Sequence, residues 1–291
     1  MSVSLSGPVL PWRRAAVASL VAPMMIGALL FTTGGATTLQ AEPPATGQAS
    51  AQGAGTSIPR EGTYLYRFSM LQAAPGRLVE LIDFLKSRAT ALAAGGDQLP
   101  YIVRHSQGDH WDLLVVYPLG SLAEYYGRDR EAARAAAGGA TGLAPVVFAP
   151  AFRSMLAWHE DLFVLGPPVD AFRAHVDGAG LAHFEMMQAL PGRYEQLVEE
   201  RRMENAFNRG RGRGETLIFT HELGAAWDVV TLGVYRNWRE YAESDTIPAE
   251  VAQEAARKAG FASAEAVGPY MRTLISTHRD TLGPPVTIPA R

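Results

Sequence analysis

From Thr63 onward, short apolar runs alternate with longer amphipathic ones in an order that recurs. Tyr64 to Leu71 reads as a strand, and Pro75-Gly76 then marks a turn. The apolar residues that follow, Leu78, Leu81, Ile82, Leu85, Ala89 and Leu92, have the spacing of one helix face. Tyr101–His105 and Trp111–Tyr117 flank a glycine turn at Gln107-Gly108-Asp109, which predicts a hairpin. Ser121 and Glu124 have capping-box spacing and predict a helix start, and Phe152–Phe163 predicts a last strand. The expected order is strand, helix, strand, strand, helix, strand.

The chain then says this again. FSMLQAAPGR begins at Phe68 and FEMMQALPGR at Phe184, an offset of 184 − 68 = 116. The same offset relates His105 to His221, Gly108 to Gly224, Trp111 to Trp227, Asp112 to Asp228 and Tyr125 to Tyr241. Asn237 and Glu240 stand where Ser121 and Glu124 stand in the first copy. Near the end, His278-Arg279-Asp280 matches His159-Glu160-Asp161 at 278 − 159 = 119, which places small insertions between Tyr241 and Met271. One offset held over this length means duplication of a whole unit. The expectation is an α+β protein of two tandem ferredoxin-like units (βαββαβ), residues 63–166 and 180–286. Each unit leaves one face of its four-stranded sheet bare, so the two are expected to pack sheet to sheet as an intramolecular α/β barrel.

The strand followed by Pro-Gly-Arg and a helix, then a glycine turn, an apolar strand and a capped helix, resembles the dimeric α/β-barrel superfamily in tandem form. It looks most like the NIPSNAP and antibiotic-monooxygenase branches. The resemblance covers about Thr63 to Val286 and is one of pattern. It implies a small, partly aromatic ligand, or in some branches haem held through a histidine, between a sheet and its helices. It also implies a cofactor-independent oxygenase or an isomerase-like proton transfer if the protein is an enzyme, and a monomer or an assembly of pseudo-dimers. The competing class is a non-catalytic carrier or structural domain.

The first residues have another grammar. Arg13-Arg14 precede the apolar run AAVASLVAPMMIGALLF, and Leu39-Gln40-Ala41 follow, which predicts a signal peptide over residues 1–41 and a secreted or periplasmic protein. An uncleaved anchor is the alternative, and Pro23 and Gly27 interrupt the run that would have to span. Residues 42–62, rich in Pro, Gly, Ala and Ser, are expected to be a flexible tether. With 26 basic against 29 acidic residues there is no global field to hold nucleic acid or, once the signal is removed, a membrane. The absence of cysteine excludes disulfides, thiolate metal sites and a cysteine nucleophile.

Comparison of the two copies supplies the candidate chemistry. Leu85 and Ala89 on the first helix stripe become Arg201 and Asn205 in the second copy. Either these face a polar pocket or the helix has rotated to bury Met203, Ala206 and Phe207 instead. On the first strands, Arg67 and Ser69 become His183 and Glu185, two residues apart and so on one face. The last strand neighbours the first in this fold, which brings His278 within reach. His183, Glu185 and His278 could bind zinc or iron, act as a base with an orienting acid, or form an ordinary ion pair. No resident metal or haem is expected. His221 or His183 is the candidate base, Arg201 and Asn205 the groups that stabilise negative charge, and Trp227 a ligand wall, with His105 the duplicate of His221. His105 and His221 serve equally well as turn-bonding residues, and Trp111-Asp112 and Trp227-Asp228 as core and strand-end positions. Arg209, Arg211 and Arg213 in NRGRGRGE are a solvated loop or the rim of a pocket. The asymmetry places the site in the second copy.

Overall fold

The computed structural model describes residues 61–141 and 150–288. The predicted signal and nearly all of the tether lie outside the described residues. The tether's expected end is already held, because Arg202 donates to the Glu61 carboxylate at 2.7 Å. Among the described residues no helix is long and apolar enough to cross a membrane.

The first repeat runs β1 (Tyr64–Ala73), α1 (Leu78–Ala94), β2 (Tyr101–Arg104), β3 (Leu113–Gly120), α2 (Leu122–Tyr125), α3 (Arg128–Thr141), α4 (Pro150–Ser154) and β4 (Leu156–Gly166). A connecting helix α5 (Val169–Val176) leads into the second repeat. That repeat comprises β5 (Leu181–Ala189), α6 (Tyr194–Gly210), β6 (Leu217–Gly224), β7 (Val229–Tyr235), α7 (Trp238–Ala242), α8 (Ala249–Lys258), α9 (Val267–Arg272) and β8 (Ile275–Gly283). Phe152, expected to open the last strand, instead lies in α4 and packs its ring on Phe84 at 5.5 Å. α8 takes the place of α3, and the second copy adds short 3-10 turns on either side of it.

The strand order is β2-β3-β1-β4-β6-β7-β5-β8, so each repeat contributes four antiparallel strands in the ferredoxin-like order. β4 pairs with β6, Phe163 opposite Leu223. At the far edges Gln107 bridges Leu282, with Leu282 N–H donating to Gln107 C=O at 2.9 Å. Adding the repeat offsets to one seam gives the other, and the sheet closes into a barrel. The duplicated glycines lie on these seams. A Cβ on Gly108 (φ 113°) would stand 1.9 Å from the Asp280 carbonyl oxygen, and one on Gly224 (φ 101°) 2.6 Å from that of Asp161. The Pro-Gly turns that open α1 and α6 need glycine for conformation, with φ of 78° at Gly76 and 74° at Gly192.

Strand alternation sends two sets of side chains in opposite directions. The inner set fills the barrel, with Phe68, Phe184 and Phe219 fully buried and Phe68 and Phe219 edge-on at 5.0 Å. Phe172 on α5 adds a plug, 5.2 Å from the ring of Tyr66. The outer set packs against helices, Leu81 and Leu85 of α1 in the first repeat and Leu197 and Val198 of α6 in the second. The duplicated Trp-Asp pair is explained by both sets of demands. Trp111 and Trp227 are buried in the barrel cluster, while Asp112 and Asp228 each accept a backbone N–H at 2.8 Å, from Ala73 and Ala189.

Replacing Gly224 by Ala adds a Cβ against the seam at a backbone conformation that L-residues avoid. We expect a loss of about 2 kcal/mol or more in chemical denaturation, with the same at Gly108. Wild-type stability in both variants would show that the seams do not bear on the fold.

Candidate functional site

β5 and β8 are neighbours in register, Glu185 opposite Asp280 and Met187 opposite His278. Their helix-facing positions therefore bring His183, Glu185, His278 and Asp280 together beneath α6. The His183 Nε2 is hydrogen-bonded to the Asp280 carboxylate. Glu185 takes a hydrogen bond from the Thr231 hydroxyl at 2.9 Å and lies 3.5 Å from Arg201 Nη1. His278 Nε2 is 3.4 Å from Glu185 Oε1 and 3.6 Å from Asp280 Oδ2, too far for a well-formed hydrogen bond with either. Arg201, 3% exposed, donates through Nε to Glu200 Oε2 at 2.6 Å and pairs through Nη2 with Glu204 at 2.6 Å.

Helix α6 has kept its register. Arg201 occupies the buried stripe where Leu85 stands in α1, and Phe207 is also buried, because α8 covers a second side of the helix. The choice between pocket and rotation is thus resolved as a helix buried on two sides.

The charges in this layer reshape one another. Burial alone would push the Glu185 carboxyl up, but His278, Arg201, His183 and the Thr231 hydroxyl outweigh it and hold it down at about 2. Burial raises Glu200 to about 7 against the opposing pull of Arg201. His183 is raised despite its burial, by the Asp280 hydrogen bond and the charges of Glu185, Asp280 and Glu204.

The other sequence candidates lie elsewhere. His221 pairs opposite Val164, with the barrel-facing parity of Phe219, so it sits across the sheet from His183. No shared site can be built from these two histidines. Trp227 is likewise on the barrel side, its ring under the Arg279 guanidinium at 5.2 Å, and His105 packs against Trp111 at 5.8 Å. Asn205 is a structural clasp: its amide donates to Thr216 C=O and accepts from Thr216 N–H, both at 2.8 Å. It does not share the Arg201 environment as an anion-stabilising group would. In the arginine loop, Arg209 pairs with Glu215, Arg211 donates to Asn208 at 2.7 Å, and Arg213 donates to the Glu240 carbonyl at 2.5 Å.

The equivalent place in the first repeat holds a polar recess that sequence comparison missed. It is lined by Arg67, Ser69, Arg88, Tyr117, His159 and Asp161, among others, and encloses about 20 Å³. Arg67 is 7% exposed and stacks over Tyr117 at 4.4 Å. Its Nε is buried without a hydrogen-bond partner, and it forms no ion pair with any described residue. The Ser69 hydroxyl donates to Asp161, whose other oxygen is 3.8 Å from His159 Nδ1. A groove of about 360 Å³ along Leu156, Ala157 and Trp158 adjoins the recess at His159. The signal available in the sequence was Arg67 itself, a charged residue inside a strand that otherwise reads as apolar.

No family model matches the sequence, and no curated protein does. Among solved structures, an anthrone oxidase-like protein superposes with a TM-score of 0.52 at 10% identity, over 78% of this chain and 93% of its own. A candidate monooxygenase from Fusobacterium nucleatum subsp. nucleatum gives 0.48 at 6% identity over 78% and 94%. A haem-binding protein from Thermus thermophilus gives 0.40 at 11% identity over 79% and 96%. At these identities the likeness is one of fold, and only the first is near enough in shape to bear on it. The chain is an α+β protein of the ferredoxin-like fold.

The residues present do not fit a haem. The second helix layer is closed by Met187, Leu197, Val198, Ile218 and Val229, and the barrel is filled with aromatic rings. Among the described helices only α5 carries a histidine, His175, whose Nε2 lies at 3.0 Å from the Leu232 carbonyl oxygen.

The raised Glu200 sets a pH dependence. The folded chain holds this proton more tightly than an ordinary carboxyl at 4.5. The associated stability is full below that value and is lost as pH rises to about 7. The slope is at most about 1.4 kcal/mol per pH unit. Glu200→Gln should flatten the decline in thermal melts across this window, and an unchanged profile would refute the assignment.

Proposed function

We propose that the protein binds a small, partly aromatic anion, its charged head at the mouth of the first-repeat recess and its ring along the groove that shares His159 with it. The observation that carries this reading is Arg67. Burying a guanidinium without a counter-charge costs several kcal/mol, so the site is built to be completed by a carboxylate or a similar anion. Tyr117 holds the guanidinium plane from one side. The Asp161 carboxylate accepts the Ser69 hydroxyl and lies 3.8 Å from His159. A groove of this size suits a small ring system, and the anthrone oxidase-like fold neighbour is in keeping with an aromatic ligand.

A second reading makes the protein an enzyme of the oxygenase or isomerase-like kind, with proton transfer in the second repeat. Its support is the His183–Asp280 hydrogen bond at the rim of the layer, where Asp280 is half exposed. In this reading His183 is the base, Asp280 orients it, and Arg201 fixes the ionised Glu185 carboxylate beside His278.

Titration with benzoate and phenylphosphonate tests the first reading. Arg67→Met should weaken binding at least about tenfold, roughly 1.4 kcal/mol, while leaving the melting temperature equal or higher. His183→Gln should leave benzoate affinity unchanged and abolish any turnover of aromatic ketones. Unchanged affinity in Arg67→Met would place the ligand elsewhere.

The protein is further proposed to be exported, on the Arg13-Arg14 head, the apolar run and Leu39-Gln40-Ala41. Intact-mass measurement should then find a chain starting near Glu42, and a full-length soluble cytoplasmic chain would contradict it.

A further inference from the structure

We propose that the second repeat holds one first-row divalent cation, of the zinc class, between His183, Glu185, His278 and Asp280. This goes beyond the anion site, which lies in the other repeat and does not depend on it.

The argument begins with donor spacing. His183 and carboxylate oxygens of Glu185 and Asp280 place ligand atoms within 4.8 Å of one another. His278 Nε2, outside that group of three, lies beside two of its members, at 3.4 Å from Glu185 Oε1 and 3.6 Å from Asp280 Oδ2. Those separations are poor for hydrogen bonds. They are close to the separation of about 3.4 Å expected between two donors that share a tetrahedral ion with bonds near 2.0–2.1 Å. His278 Nε2 is also buried without a well-formed hydrogen bond, its nearest partners being these two carboxylates.

The surroundings are arranged as a second shell would be. Thr231 and Arg201 both engage Glu185 Oε2, which leaves Oε1 turned toward His278. Acidic groups gather here, with Arg201 paired to Glu185, Glu200 and Glu204, and with Asp280 beside His278. Asp280 is half exposed and free to swing, so the hydrogen bond it shares with His183 can open to admit the ion from solvent. Two imidazoles and two carboxylates, with no cysteine in the chain, favour zinc or its neighbours over calcium or magnesium.

The first repeat supplies an internal control. It keeps His159 and Asp161 but has Arg67 and Ser69 in place of His183 and Glu185, and a fixed guanidinium excludes a cation. The expected stoichiometry is therefore one ion per chain. A bound ion would take His183 Nε2 out of the Asp280 hydrogen bond that orients the base in the proton-transfer reading, so those two ideas exclude each other.

The test is titration of the metal-depleted full chain with zinc by calorimetry, with cobalt(II) as a spectroscopic probe of coordination. One equivalent should bind, the melting temperature should rise with zinc, and cobalt should show the strong visible bands of a tetrahedral site. His278→Ala and Asp280→Asn should each weaken zinc at least about tenfold, and His159→Ala should not. Asp280→Asn preserves shape at an exposed position, so it decides the matter even if His278→Ala fails to fold. No zinc binding, two equivalents per chain, or binding indifferent to Asp280→Asn would overturn the proposal. Benzoate binding in the first repeat is read separately, and its loss or survival leaves this result standing.

Discussion

The molecule depends on two short antiparallel seams, β4 with β6 and β8 with β2. A ferredoxin-like sheet has two edges with unpaired backbone groups and one bare apolar face, and neither is tolerable alone in water. Pairing the repeats at both seams satisfies the edges and covers the faces in one act. Glycine at 108 and 224 lets the strands approach at the seams. An ion pair crosses between repeats at the same place, where Arg279 donates to the nearly buried Asp109 at 3.0 Å. The barrel then encloses the interlocked rings of Phe68, Phe184 and Phe219, each adding roughly 1.5–3 kcal/mol of burial.

The barrel is filled by these rings, and the polar clusters of the described residues lie in the two outer layers between sheet and helix. The strand wall separates polar groups that sequence spacing alone would pool. His221 and His183 are the clearest instance: both are histidines of the second copy on parallel strands either side of β7, yet they stand on opposite faces.

The fold was largely legible because duplication repeated every signal at a fixed offset. The Pro-Gly turns, the capping residue Ser121 and the alternation in β1 and β5 all point to the elements observed. What was not legible had a shared physical cause, contact with something distant in sequence. Phe172 belongs to a connector whose short helix reads as a link, and only the open end of the barrel gives its ring a place. Asn205 was indistinguishable from a polar pocket residue until Thr216 was seen to use both ends of its amide. Of the candidate site, His183, Glu185, His278 and Arg201 were readable from strand parity and helix stripe. Asp280 and Glu200 emerged only from register and from burial on a second side of α6, and the first-repeat recess was hidden because Arg67 counted as the ordinary member of the pair.

The two outer layers have diverged by inversion of charge on a conserved backbone. His159 and Asp161 in the first repeat and His278 and Asp280 in the second hold the same positions on β4 and β8. Around them, Arg67 corresponds to His183, Ser69 to Glu185, and Arg88, by the offset of 116, to Glu204. Two cationic positions of one layer are thus an imidazole and a carboxylate in the other. The first layer buries the Arg67 guanidinium, and the second gathers Glu185, Glu200 and Glu204 around Arg201. A buried layer cannot carry unbalanced charge cheaply, so each calls for a partner of the opposite sign. Because the barrel wall keeps the layers apart, the partner of one need not disturb the other, and a single duplicated fold can present an anion site and a cation site back to back.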